Sequence, residues 1–471
     1  MMPLGDILPE IAVLLTAVII VLLASFLPRH LQWTNAPVAL IGLAIAALLL
    51  FSQANGEARA TFSGTYALDM ASIEGRLLIL FATAVTVLLS PRWFESDARH
   101  GEYYAMLLFS TLGAMVLAGA LDLLLVLIGV LLSSATGYVL AAYHRDWALS
   151  VEAGMKYFLV GALANTALVL GATFMMGMLG GSGFSEMAAA LAAGEASPLL
   201  LVGLGLVTVG MAYKLGAVPA HAWLPDVAEG APAPSAAFLT VVPKIGAAIA
   251  LARLVSLFPE TDFAIRALVA ALAVITMTLG NLAALWQEDM RRMLGWSSVS
   301  QAGYLLMAVT VTSLTDHAIP ALVTFLFGYA TANLTAFAAI THLRGRTDRS
   351  DYAGLLKTAP LSAIAIIVAF LSLVGIPPLG GFVGKLELFL ATIDGGYVWL
   401  AIAALVNTVV SLAYYLRFVT PMVLRAPSES VLQLGSWSCV ATTIALISVA
   451  AVGIFAQFLI GMIGVSAFLP T

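Results

Sequence analysis

Long apolar runs separated by short polar breaks repeat along the whole chain. A helix needs about 20 mostly apolar residues to cross a bilayer, so each run predicts a membrane-spanning helix. Residues 183–195 are less apolar and predict an interfacial connector. The fourteen predicted spans lie near residues 8–28, 36–54, 73–91, 102–121, 122–143, 152–178, 198–219, 234–258, 264–285, 291–313, 317–343, 358–391, 396–423 and 435–464. The pattern predicts an all-α polytopic membrane protein, with residues 1–471 forming one transmembrane domain.

The composition agrees with this fold and narrows the possible functions. Of the 471 residues, 62% are hydrophobic and 10% are charged, against about 45–50% and 25% in soluble domains. Little chain remains for a soluble catalytic domain. The single cysteine, Cys439, can neither close an internal disulfide nor hold an iron–sulfur cluster, which needs four ligands. No long basic stretch supports nucleic-acid binding. The bilayer is therefore the first predicted partner.

The arginines predict the orientation in the membrane. Most of them fall in loops after odd-numbered spans, as Arg29 and Arg145 do, whereas few, such as Arg59, lie on the other side. The positive-inside rule then places the odd loops in the cytoplasm and both termini on the periplasmic side of a bacterial inner membrane. The first ten residues carry no positive side chain, so we expect no cleaved signal peptide.

A weak internal repeat predicts two inverted halves. KYFLVGALANTAL (156–168) resembles TFLFGYATANLTAF (324–337), which lies five spans later. Because an odd spacing reverses direction, residues 102–258 (spans four to eight) and 264–423 (spans nine to thirteen) are predicted to form inverted five-helix repeats. Spans seven and twelve both contain glycine and proline, which predicts two broken helices and a transport site near the midplane. Alternatively, these residues only kink the helices for packing.

Lysine is distributed differently from arginine. Lys214, Lys244 and Lys385 fall inside apolar spans, close to the predicted breaks or to prolines. A central charge costs about 2.5–3.5 kcal/mol or more on insertion scales, so its presence indicates function. Arginine keeps its proton, whereas a buried lysine can release one. We therefore predict a proton relay through these three lysines, the alternative being that they are structural and either snorkel to the surface or pair with a backbone carbonyl.

Other titratable residues lie at or near the ends of the predicted spans. His221 follows Lys214 by seven residues and is a candidate relay between that lysine and the loop, or else a hydrogen-bonded histidine at a helix end. Asp226 and Glu229 are predicted to cap the next helix, the alternative being that they receive protons. Lys156 is as compatible with a structural role as with a relay, because it lies four residues after Glu152 and near the start of its span.

Three long motifs resemble one family of membrane subunits. They are YKLGAVPAHAWLPDVAEGAPAPSAAFLTVVPKIG (213–246), GNLAALWQEDMRRMLGWSSVSQAGYLL (280–306) and SLVGIPPLGGFVGKLELF (372–389). They are similar to the antiporter-like membrane subunits of respiratory complex I and of the related multisubunit cation/proton antiporters. GAPAP is closest to the subunit N form of complex I, the NADH-quinone oxidoreductase. The resemblance covers about residues 100 to 420.

The resemblance implies a non-redox, proton-translocating subunit of this oxidoreductase, coupled to quinone reduction elsewhere in the complex. It implies no cofactor and no metal, and other membrane subunits, antiporter-like and small, as partners. It also implies that Lys214, Lys244 and Lys385 match the family's lysines in the seventh, eighth and twelfth helices. One departure stands out, since the family's glutamate in the fifth helix is Val130 here.

Two other functions fit the same sequence. One is a subunit of a multisubunit cation/proton antiporter or of a membrane-bound hydrogenase that uses the same module. The other is a structural paralogue that has lost pumping, which the missing acid at Val130 favours.

Overall fold

The computed structural model describes residues 3–54, 56–97, 99–194, 197–259, 263–426 and 433–463. Within these ranges the chain forms nineteen α-helices and one two-stranded sheet. The helices are α1 (Leu8–Phe26), α2 (Asn35–Gln53), α3 (Met70–Trp93), α4 (His100–Gly119), α5 (Leu123–Ala141), α6 (Ala148–Leu179), α7 (Phe184–Ala192), α8 (Pro198–Leu215), α9 (Trp223–Gly230), α10 (Ala233–Ser256), α11 (Phe263–Ala284), α12 (Met290–Thr310), α13 (Ala318–His342), α14 (Leu355–Thr358), α15 (Pro360–Val374), α16 (Gly380–Asp394), α17 (Val398–Leu424), α18 (Ser436–Ile454) and α19 (Ala456–Ile463).

Twelve helical segments of the described chain are long and apolar enough to cross a membrane. They contain α1 to α6, α8, α10, α11, α13, α17 and α18. The two remaining predicted spans correspond to α12, which is more polar because it carries two arginines and three serines, and to the pair α15 and α16. The prediction of an all-α membrane protein is confirmed.

Spans seven and twelve are interrupted, as the sequence predicts. α8 ends at Gly216, whose φ is +67°, and α15 ends at Gly375, whose φ is +99°. Glycine adopts this left-handed conformation without strain and so ends a helix. Prolines follow both glycines and cannot donate to a helical hydrogen bond. The pairing of spans four to eight with spans nine to thirteen stays a prediction.

A small hairpin between α2 and α3 was not predicted. Its strands are β1 (Arg59–Thr61) and β2 (Tyr66–Leu68), which pair antiparallel. The Tyr66 hydroxyl donates to the buried Glu10 carboxylate over 2.8 Å, and Arg76 contacts the same carboxylate at 3.1 Å. The hairpin therefore joins α1 to α3.

The last predicted span also differs from the structure. Instead of one helix over 435–464, α18 ends at Ile454 and α19 begins at Ala456, while residue 464 lies outside the described residues. A side chain at Gly453 would collide with the Pro378 carbonyl, so the end of α18 packs directly on the break between α15 and α16. Residues 183–195 contain the short helix α7, as their helix-forming sequence suggests.

α10 lies at the centre of the bundle. All of its residues except Ser256 are buried, and it packs against α3, α4, α12 and α13. α6 lies at the periphery and turns large apolar side chains outward, among them Leu163, which is 77% exposed. Such a surface fits a lipid or subunit contact rather than water.

Candidate functional site

All three predicted lysines lie inside the bundle. The exposed fraction is 1% for Lys214 and Lys244 and 4% for Lys385. Lys214 lies in the last turn of α8, Lys244 follows Pro243 within α10, and Lys385 lies in the second turn of α16. Two of the three are thus positioned by the broken helices.

Lys214 has a weakly polar environment. Its Nζ donates to the Ser133 hydroxyl on α5 over 3.2 Å and lies 5.7 Å from the centroid of the Tyr213 ring. In the described residues no carboxylate lies within ion-pair distance of this nitrogen. Val130, which is fully buried, precedes Ser133 by one helical turn and so shares its face of α5.

The two acids that could replace the missing glutamate are engaged elsewhere. Asp122 caps α5 by accepting from the backbone N–H of Leu124, and its second oxygen accepts from Ser182. Glu152 forms an ion pair with Lys156 at 2.7 Å. Within the described part of this chain, Lys214 is therefore held by a hydroxyl rather than by an acid.

Lys244 lies in the most connected polar group of the bundle. Its Nζ donates to the backbone carbonyl of Ser298 and, over 2.6 Å, to the Ser298 hydroxyl. That hydroxyl pairs with the Tyr329 hydroxyl at 2.7 Å, and Tyr329 in turn donates to the Thr240 carbonyl at 2.7 Å. Asn333 completes the group by donating to the Thr240 hydroxyl. The group joins α10, α12 and α13.

Lys385 contacts the carbonyl end of the broken helix. Its Nζ donates to the Val374 carbonyl over 3.0 Å and lies 4.5 Å from the centroid of the Tyr304 ring. Gln301 donates to the neighbouring Leu373 carbonyl. Because a helix leaves its last carbonyls without intrahelical partners, the end of α15 offers acceptors to a protonated amine.

One face of α12 connects the surroundings of two lysines. Ser298, Gln301 and Tyr304 are spaced three residues apart and therefore project from the same side of the helix. Ser298 contacts Lys244, and Tyr304 contacts Lys385. The two contact points are separated by about 9 Å along the helix axis. No chain of direct hydrogen bonds among the described residues extends this link to Lys214.

His221 lies in the break between α8 and α9 and is half-buried. Its ring centroid is 5.8 Å from that of Trp296, and its Nδ1 has no hydrogen-bond partner in the described structure. No hydrogen bond there joins His221 to Lys214, so its relay role stays a prediction. The described ranges contain no group of three or more His, Cys, Asp or Glu side chains that could hold a metal ion.

The acids of α9 form ion pairs rather than the predicted caps. Asp226 contacts Lys156 at 2.9 Å and Arg292 at 2.7 Å, and Glu229 contacts Arg292 at 2.6 Å. The two Asp226 contacts and the Glu229 contact fasten α9, which follows the break in span seven, to α6 and α12. Lys156 is exposed and forms ion pairs with two acids, Glu152 and Asp226.

His144 lies at the arginine-rich end of the bundle and has a perturbed pKa. His144, in the loop between α5 and α6, accepts from Trp93 Nε1 through Nε2 over 3.1 Å, and its Nδ1 lies 3.4 Å from Asp97. Burial lowers the pKa of His144, and the nearby Asp97 carboxylate opposes that shift only in part. The Trp93 contact requires Nε2 to be unprotonated, which agrees with a neutral ring.

The partners of the lysines could not be identified from the sequence. Ser133, Ser298, Tyr304 and Tyr329 were missed because serine and tyrosine are common inside membrane helices. The spacing of Ser298, Gln301 and Tyr304 was the available signal, since it places three polar groups on one face of an otherwise buried helix.

Comparison with known proteins now decides the family. The family model for the NADH:quinone oxidoreductase/Mrp antiporter transmembrane region matches residues 120–411, which is more than half of the chain. The chain belongs to this family. The resemblance seen in the sequence motifs is thereby confirmed.

Two relatives and one solved structure give the extent of the similarity. The chain is 43% identical over 405 residues to NADH-quinone oxidoreductase subunit N of Mycobacterium sp. (strain JLS), covering 84% of both chains. It is 42% identical to NADH-quinone oxidoreductase subunit N 1 of Streptomyces griseus, covering 90% of this chain and 89% of the relative. A chain of respiratory complex I from Thermus thermophilus with bound aureothin superimposes with a TM-score of 0.83 at 31% identity, covering 96% of this chain and 98% of that chain.

Proposed function

We propose that this chain is a proton-translocating membrane subunit of an NADH-quinone oxidoreductase. Its full-length similarity to subunit N chains and to a complex I chain supports this function. The other membrane subunits of complex I are then its partners in the bilayer. The chain itself takes part in proton transfer only, with quinone reduction taking place elsewhere in the complex.

The mechanistic part of the proposal rests on the face of α12 that presents Ser298, Gln301 and Tyr304. A protonated Lys244 gives its proton to the Ser298 hydroxyl as that hydroxyl releases its own proton to water beside Gln301, and the water passes a proton on to the neutral amine of Lys385. The Val374 carbonyl then stabilises the ammonium that forms. Proline-broken helices suit this step, because they supply carbonyls that are not used in helical hydrogen bonds.

Lys214 and His221 form the entry side of the proposed path. In the orientation that the arginine distribution predicts, the path runs from a cytoplasmic end near α9 toward the periplasmic side. Because its partner is the Ser133 hydroxyl, Lys214 has no carboxylate of the described chain to stabilise its protonated form.

Substitution of Lys385 tests the proposal. In the assembled complex, Lys385→Arg should keep the positive charge but block proton release, and Lys385→Ala should remove the carrier. Both should lower the number of protons pumped per NADH oxidised in membrane vesicles. Lys357→Arg is the matched control, because Lys357 is exposed outside the membrane spans.

The same measurement separates the second candidate function. The missing acid beside Lys214 favours a subunit that retains its place in the complex without pumping. If both Lys385 variants assemble and pump with the wild-type ratio and pH dependence, Lys385 is not on a proton path and the structural function is the better one.

A further inference from the structure

A buried carboxyl group outside the lysine path has no partner. Glu74, in the second turn of α3, is only 4% exposed, and neither of its carboxylate oxygens has a hydrogen-bond partner in the described structure. Arg76, the nearest arginine along α3, is bonded instead to Glu10 and Ser72. An ionised group buried in this way costs several kcal/mol unless a cation meets it.

Glu74 lines an elongated groove of about 480 Å³ between α2 and α3. Eleven of the twelve residues that line it are apolar, so Glu74 is its one polar group. On α3 the lining runs from Glu74 to Ala84, which corresponds to a length of about 15 Å. The groove opens outward past Phe51, which is 55% exposed. Its volume is that of a site for one small molecule.

The remaining lining residues add a second feature. Three phenylalanines, Phe51, Phe81 and Phe327, line the groove from α2, α3 and α13. Aromatic faces attract organic cations, most strongly where water is excluded. A carboxylate in an apolar slot that is also lined by aromatic rings is suited to an ammonium group that carries an apolar tail.

We propose that this groove binds a membrane-dissolved amphiphilic amine, with its ammonium on Glu74 and its tail along α2 and α3. The contact is a charge-assisted hydrogen bond between N–H and the carboxylate, and the phenylalanine rings line the slot that receives the rest of the molecule. The site is separate from the proposed proton path, whose lysines contact α5, α12 and the end of α15.

Equilibrium binding of radiolabelled dodecylammonium to the assembled complex in phosphatidylcholine nanodiscs tests the proposal. The wild type should show saturable binding, and Glu74→Gln should weaken it by about ten-fold to a hundred-fold, as expected for a lost charge-assisted bond. Phe81→Leu should weaken it by about two-fold to five-fold. Glu57→Gln removes the same charge from an exposed loop near this end of α2 and should leave binding unchanged.

Dodecanol, which has the same tail without the charge, keeps the test decisive even if Glu74→Gln does not assemble. Weaker binding of dodecanol than of dodecylammonium supports an amine site. Equal binding of the two would show a slot for acyl chains and overturn the proposal. Absence of saturable dodecylammonium binding in the assembled complex would also overturn it, and would indicate that a neighbouring subunit covers the groove.

Discussion

Replacing Ser298 by alanine removes one hydroxyl from the centre of the lysine network. That hydroxyl contacts both Lys244, at 2.6 Å, and Tyr329, at 2.7 Å. In the Ser298→Ala variant, Lys244 keeps the backbone carbonyl of residue 298 and Tyr329 keeps the Thr240 carbonyl. The change therefore breaks the lateral connection without removing a charge or a large volume.

The expected effect follows from the cost of an unmade hydrogen bond. Leaving a buried polar group without its partner costs about 1–3 kcal/mol, and more for a charged group. If this cost falls on the proton-transfer step, the pumping rate should drop by about 5-fold to 150-fold. The fold itself should survive, because the helix-forming positions and the packing of α12 are unchanged.

The assay is NADH-driven proton uptake by inverted membrane vesicles, normalised to NADH oxidation measured with an uncoupler. Ser300→Ala is the matched control, since the Ser300 hydroxyl is buried on the same helix and has no partner in the described structure. Its pumping should stay within about two-fold of wild type, because no interaction is lost. Combining Ser298→Ala with Tyr329→Phe should give a smaller loss than the sum of the single effects, because the two residues share one contact.

Normal pumping by a fully assembled Ser298→Ala complex would refute the reasoning. It would mean that the hydroxyl only fills space beside Lys244. A loss of pumping that Ser300→Ala matches would refute it as well, because the effect would then belong to α12 rather than to the network.

Two further outcomes are expected. Val130→Glu should place a carboxylate on the face of α5 that meets Lys214 and so change the pH profile of turnover. The two positions are not coupled if the profile stays the same, or if adding Lys214→Ala to the Val130→Glu variant leaves the shift in the profile unchanged. Burial lowers the pKa of His144 below its ordinary value of about 6.5, so the folded chain resists protonation and loses stability as pH falls through that value. Protonation would also place a hydrogen on Nε2, where it would repel the Trp93 N–H. In the His144→Asn variant the melting temperature should therefore fall less between pH 7.5 and pH 5 than in the wild type. An equally large fall would show that this histidine does not govern acid stability.

The sequence predicted the helices and the burial of the three lysines well, for a physical reason. A membrane helix must satisfy its backbone hydrogen bonds internally, so an apolar run of sufficient length has few other conformations available. Placing a lysine inside such a run costs free energy, so its position alone identifies it as a candidate functional residue. The interruptions in spans seven and twelve could be predicted as well, because glycine and proline act locally on the backbone.

The contacts between helices could not be predicted from the sequence in the same way. Ser298 lies 54 residues after Lys244, and nothing in either segment specifies which faces meet. The hairpin around Tyr66 was missed because three-residue strands leave almost no periodic signal. The interruption between α18 and α19 depends on Gly453 packing against the Pro378 carbonyl, a contact made by a distant part of the chain.

The burial of α10 has a consequence for how this protein can change over generations. Every position from Ala233 to Val255 is already surrounded by neighbouring helices, so a larger side chain has no room and a smaller one leaves a void. Substitutions there should persist only when a facing helix changes as well, whereas outward positions such as Leu163 can drift among apolar residues one at a time. Labels, tags or reporter cysteines should accordingly be tolerated on the outer face of α6 and rejected along α10.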